Sequence, residues 1–245
     1  MKGLIYKNYL VTRKYYFMAF MFFFIMALFM ILIRLSMICG NISHDPEAVD
    51  DLTRTMWVFR YMPCAVVILG FAGYSEAFFA DLNSGWARFS RTTSLSTHQI
   101  VGSYFLSEGI VLSFAYIICL LYLVIFCLSF GDKISLHYIT NITSLFCFGV
   151  IIQYFNLTLA MFAQKRQTVQ LISVSIALIF PWLLCSYIYP RMKELENPDT
   201  VLLEWMAQQF EPIKSYIFPV MLLFAVIFTV GGYFISVKGL ERRTF

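Results

Sequence analysis

Apolar residues in this chain come as long unbroken runs separated by short polar interruptions, with neither a helical nor a strand rhythm. The clearest run is "YYFMAFMFFFIMALFMILI", residues 15–33, without a charge. A run of about 20 apolar residues matches the hydrocarbon core of a bilayer, where every backbone polar group must be satisfied inside its own segment. Six segments qualify, near 16–38, 57–79, 103–129, 138–163, 168–189 and 215–237. They predict an all-α membrane protein with six transmembrane helices, forming a single domain over 1–245. An even number of crossings puts both termini on one side. The first run is too long for a signal peptide and no small-residue cleavage motif follows it, so it is expected to remain as an anchor.

Three interruptions carry pattern of their own. Residues 1–15 form a basic amphipathic segment ahead of the first span. The second interruption is "FFADLNSGWARFSRTTSLSTHQIV", residues 78–101, whose polar part is a loop over 80–100. Within it Leu82, Trp86 and Phe89 recur at i, i+4 and i+7, one face of a short helix, while Arg88 and Arg91 point elsewhere. Asp81 or Ser84 is the expected cap of that helix, and Ser96 or Thr97, with Gln99 or Ile100 following, the expected start of span three. The third, 190–214, carries a helix start at Pro198-Asp199-Thr200. Leu202, Trp205, Met206 and Phe210 share a face opposite Glu204, Gln208 and Glu211, as in a short helix at an interface or re-entering the membrane.

Charge orients the pattern. Basic residues are retained on the cytoplasmic side, and the side holding both termini carries eleven of the 18. These are Lys2, Lys7, Arg13, Lys14, Arg88, Arg91, Lys165, Arg166, Lys238, Arg242 and Arg243, so both termini and the 80–100 loop are expected inside. Composition agrees with a membrane protein. Hydrophobic residues make up 60% and mean hydropathy is +0.75, against about 45–50% apolar residues in soluble domains.

Candidate chemistry is sparse. No G-x-x-x-x-G-K-[ST] stretch is present, so the chain is not expected to hydrolyse ATP by that route. His44, His98 and His137 are scattered, and the six cysteines show no metal-ligand spacing; they read as core residues. No catalytic, cofactor or metal residue is therefore assigned. Ionisable groups near span ends are functional candidates by default. Arg34 and Arg60 lie toward the outer ends of spans one and two, and Glu76 and Glu108 toward the inner ends of spans two and three. They either snorkel to the interface or form interhelical pairs or a polar gate. Gln153 and Asn156 are expected to make interhelical hydrogen bonds.

Two stretches carry a resemblance. "MKGLIYKNYLVTRKYY" is similar to the basic helix before span one, and "EAFFADLNSGWARFSRTTSLSTHQIVGSYFLSEG" to the loop after span two, of bacterial ATP-binding-cassette permeases of the type-2 exporter class. These are the six-span subunits without a fused ATPase. The chain departs from that pattern at Ser94-Leu95, where the family often has Leu-Pro, and near Tyr104, where it often has a basic residue. The resemblance implies that the loop is a coupling helix seated on a motor protein, with Glu76, Asp81, Gly85, Trp86, Arg88 and Phe89 as its contact residues. It also implies two ATPase subunits as partners, which bind ATP and Mg, and a second permease subunit, identical or paralogous. It places the chain in a bacterial cytoplasmic membrane, exporting a hydrophobic or amphipathic peptide, bacteriocin or drug-like substrate by alternating access. The competing expectation is an ATP-independent membrane protein, a secondary transporter or assembly factor. From the residues alone, the 80–100 loop reads equally as a helix on the membrane surface, with Trp86 in the interfacial belt, or as a docking peg.

Overall fold

In the computed structural model, residues 2–39, 60–68, 73–86, 95–130, 133–163, 166–172, 175 and 198–242 are described. Among them the chain is all helical, with no strand. Five helices form the body: α1 (Lys2–Cys39), α2 (Gly73–Asn83), α3 (Thr97–Phe130), α4 (Leu136–Ala163) and α5 (Pro198–Glu241). Residues 60–68 and 166–172 add two shorter helical pieces.

Three helical stretches are long and apolar enough to cross a membrane: Thr97–Leu128, Leu136–Ala163 and Phe218–Glu241. They fall on the third, fourth and sixth expected spans. Lys2–Lys14 and Tyr16–Phe29, bent by 49° from each other, make a fourth when taken as one span. The expected second span is represented by 60–68 and the start of α2, and most of the expected fifth lies outside the described residues.

Local chemistry explains the helix starts. Gln99 N–H donates to Ser96 Oγ at 3.2 Å while Ser96 N–H donates to Gln99 Oε1 at 3.1 Å. This reciprocal capping box settles two of the orphan donors at a helix N-terminus, and it sets the start of α3 at Thr97, ahead of the apolar boundary near 103. Ser135 does similar work for α4, accepting from the His137 N–H at 3.3 Å. Two expected breaks do not occur. The N-terminal segment bends into α1 as one helix rather than standing apart, because residues 1–15 hold no proline and only Gly3 as a weak helix former. The outer helix begins at Pro198 as expected, but its backbone continues into the last span as α5, despite Pro212 and Pro219.

Ring contacts fix the packing directions. Phe155 meets Phe228 at 6.2 Å and Gly239 faces Phe162, so α4 and α5 run parallel; theirs is the most extensive helix contact. Helix α3 runs against both, with Phe105 stacked on Tyr154 at 5.1 Å and edge-on to Tyr233 at 5.7 Å. Helix α1 runs alongside α3 in the same direction, Phe20 meeting Phe114 at 6.1 Å and Phe23 meeting Tyr122 at 5.4 Å. The start of α1, the end of α2, the start of α3 and the ends of α4 and α5 therefore gather at one end of the bundle. Leu112, Leu123, Ile142, Leu157 and Met161 fill the core between them.

Close approach depends on a missing side chain at Gly149, where the 60–68 piece lies on α4. A Cβ there would fall well inside van der Waals contact of the buried Ile68 Cγ2, a β-branched methyl that cannot swing away. Gly149→Val is expected to destabilise the solubilised protein by about 1–3 kcal/mol through overpacking. Gly231→Ala, which meets nothing within 4 Å, is the control expected to leave the thermal unfolding midpoint unchanged or raised.

Candidate functional site

At the gathered end, α2 stops in a defined turn. The Ser84 N–H donates to the Ala80 carbonyl at 2.9 Å, and Gly85 follows with φ 76°. That left-handed conformation is one glycine adopts without a Cβ penalty. Nothing lies within 4 Å of where a Cβ would stand, so glycine is required here by backbone angle rather than by space. Trp86 N–H then donates to Ser84 Oγ at 3.5 Å.

Asp81 is not the expected cap. It sits in the last turn of α2, buried, and its Oδ2 accepts from both Lys7 Nζ on α1 and Tyr104 OH on α3. A carboxylate removed from water needs compensating donors, and these two arrive from two other helices. Lys7 is held further by aromatic faces, its ammonium 5.0 Å from the centre of the Trp86 ring and 5.7 Å from that of Tyr104. Burial lowers the Lys7 pKa from its usual value near 10.5, opposed by the hydrogen bond and charge of Asp81. The Tyr104 ring packs edge-on to Phe78 at 5.9 Å. One ion pair thus joins α1, α2, α3 and the turn after α2.

A second polar seam continues from this knot between α1 and α3. Buried Asn8 donates to Ser103 Oγ at 3.5 Å, and its Oδ1 makes no hydrogen bond. Thr12 and Ser107 turn their hydroxyls back onto their own helices, at Asn8 O (2.9 Å) and Ser103 O (2.6 Å). One turn beyond Tyr104, Glu108 is 1% exposed, and among the described residues its Oε1 makes no hydrogen bond.

The expected site residues therefore divide. Asp81, Gly85 and Trp86 come together. Glu76 lies on α2, with its side chain outside the described residues, and Arg88 and Phe89 lie outside them altogether. Arg34 is on α1, its side chain likewise undescribed. Arg60 stands at the opposite end, its guanidinium carbon 4.0 Å from the Tyr138 ring centre and 5.2 Å from that of Phe126. Along α3, Phe126 and Glu108 are separated by roughly 27 Å of helix rise, so Arg60 and Glu108 do not form a pair with each other. Trp86 is half-buried beneath Lys7 rather than presented as a bare anchor. Asn156 and Gln153 lie on α4, and Gln153 is buried.

Lys7, Tyr104, Asn8 and Ser103 are site residues that the pattern of apolar runs passes over. A usable signal was present. Asn8 and Thr12, and Ser103 and Ser107, are polar pairs at i, i+4 on otherwise apolar helices, and matched polar stripes of that kind mark facing sides.

This is the architecture of a helical membrane protein with a polar, charge-paired turn at one end of its bundle. No family model, no curated protein and no solved structure matches the chain.

Breaking the knot leaves a charge stranded. Lys7→Gln removes the partner of a carboxylate that is 8% exposed and is expected to cost about 2–3 kcal/mol. That is the low side of a fully buried pair, because the Lys7 side chain keeps about a quarter of its surface in solvent. Thermal unfolding of the detergent-solubilised protein measures this, and the Lys7→Gln, Asp81→Asn double variant should recover part of the loss. Losses that simply add in the double variant would mean that the ion pair does not couple the two residues.

Proposed function

We propose that this chain is the membrane-spanning permease subunit of an ATP-driven exporter, with both termini and the turn after α2 in the cytoplasm. The observation that carries the reading is the Lys7–Asp81 pair. The N-terminal helix and the loop after span two are the two stretches that resemble the type-2 exporter permeases, and they are tied to each other and to α3 through this one contact. A loop that delivers movement from a soluble motor to membrane helices needs a stiff base, and a buried ion pair with aromatic packing on both sides supplies one.

In this mechanism two copies, or a copy and a paralogue, pair in a bacterial cytoplasmic membrane and bind two ATPase chains. The ATPases hold ATP and Mg, and this chain holds no nucleotide. Asp81, Gly85 and Trp86 form the base of the coupling peg, while Arg88 and Phe89 make the motor contact, with Glu76 behind them. Closure of the motor dimer on ATP pushes the peg; the knot passes that movement to α1 and α3, and the pathway opens outward to release a hydrophobic or amphipathic cargo.

The roles separate by experiment. Phe89→Ala is expected to weaken capture of the ATPase about tenfold or more, the scale of a lost aromatic interface anchor, without changing the unfolding midpoint. Asp81→Asn should lower both. Co-purification at equal expression measures capture, and undiminished recovery with Phe89→Ala would sink the motor-contact assignment. Orientation has its own measurement. Single cysteines at 84–97 should label only from inside, and those at 40–55 and 191–212 from outside.

One observation favours a second reading. Glu108 is an ionisable group buried in α3 with an oxygen that makes no hydrogen bond, as a proton-coupled secondary transporter would need. Substrate uptake or efflux in sealed vesicles that follows an imposed pH gradient without ATP, and stops with Glu108→Gln, would decide for it.

A further inference from the structure

A cavity lined by described residues lies away from the charge knot, in the cleft between α1 and α3. It has a volume of about 1200 Å³, and Arg13 and Lys14 stand in its lining among Phe17, Leu106, Ile110 and Phe114. A smaller cavity of about 320 Å³ shares Tyr9, Ile110 and Val111 with it and brings in Lys2. The two together line a cleft with three cations and no acid. The apolar remainder is open rather than packed, with Phe17, Leu106, Ile110 and Phe114 each about half to two-thirds exposed.

That combination selects a ligand class. A neutral hydrocarbon gains nothing from Arg13, Lys14 and Lys2, and a small hydrophilic anion gains nothing from the phenylalanine and isoleucine wall. The volume also exceeds the roughly 300–1,000 Å³ of ordinary small-molecule pockets. We infer that the α1–α3 cleft binds an anionic glycerophospholipid, its phosphate held by Arg13 and Lys14 and an acyl chain lying along Phe17, Leu106, Ile110 and Phe114.

Geometry supports the placement of head and tail. The α1–α3 register, set by Asn8 on Ser103 and Phe20 on Phe114, puts Arg13 and Lys14 about two turns beyond Lys7 toward the apolar part of the bundle. Long basic side chains at that depth reach back to the headgroup level with their stems on apolar surface. Each cation near an anionic lipid surface adds attraction of its own. The bound lipid fills the cleft left between α1 and α3. This inference stands on the cleft alone and does not depend on the exporter reading.

The test uses the full chain in detergent, titrated with dioleoyl phosphatidylglycerol or dioleoyl phosphatidylcholine, with retained lipid counted by native mass spectrometry. Phosphatidylglycerol should be retained at least about tenfold more tightly than phosphatidylcholine, and R13Q/K14Q should abolish that preference, as expected for two cations at one headgroup. Ile110→Trp, which fills the apolar wall, should reduce retention of both lipids. The control K133Q/R242Q removes two cations outside the cleft and should leave retention as in the unaltered chain. Equal retention of the two lipids would overturn the inference. So would loss in the control as large as in R13Q/K14Q, or displacement of the lipid by millimolar inorganic phosphate. A dimer whose formation shields Ile110 and excludes lipid would overturn it too, by assigning the cleft to a second copy.

Discussion

The end of the bundle where α1, α2 and α3 meet depends on one electrostatic constraint: a carboxylate cannot be left unpaired where Asp81 sits. Its side chain is buried in the last turn of α2, and its two donors come from α1 and α3. No single helix satisfies it, so satisfying it fixes three helices relative to one another. A buried pair adds little net stability over a well-packed apolar alternative, since desolvation offsets most of the attraction. Its effect is on specificity: of the many ways apolar helices can slide along one another in lipid, few bring Lys7 and Tyr104 to Asp81 together.

The rest of the packing is permissive by comparison. Lipid is as apolar as the helix surfaces, so helices associate through close approach and occasional polar contacts rather than through exclusion from water. Gly149 beneath Ile68 is the close-approach device on α4, and the Ser103–Ser107 stripe admits α1 against α3. Arg60 shows the same economy at the opposite end, where Tyr138 and Phe126 give a guanidinium two aromatic faces. Each end of the bundle thus has a cation housed by aromatic rings, and at the Lys7 end a carboxylate and a left-handed turn accompany it.

That arrangement ties the turn after α2 to the helices around it. A surface helix held only by lipid would move independently of the spans. Gly85 sets the turn, Trp86 lies under Lys7, and Asp81 is bound from both α1 and α3. The buried Glu108 lies one turn further along α3, and among the described residues its Oε1 makes no hydrogen bond.

Sequence by itself determined the class of the molecule, because bilayer thickness imposes a length on apolar runs that can be read without knowing any contact. The third, fourth and sixth spans were legible in this way, as were the Ser96 and Pro198 helix starts and the glycine at 85, since caps and backbone angles are local properties. Asp81 was legible as important but not in its role; its position before a short amphipathic stretch suited a cap, and only tertiary structure turned it toward Lys7, 74 residues earlier. The cation over the Trp86 ring was not legible either, because hydropathy does not register such a contact. The α1–α3 register and the basic cleft beside Phe17 were decided by tertiary structure alone. Facing residues on two uniformly apolar helices leave almost no periodic trace, and which of them meet is fixed by the few polar side chains that must find partners.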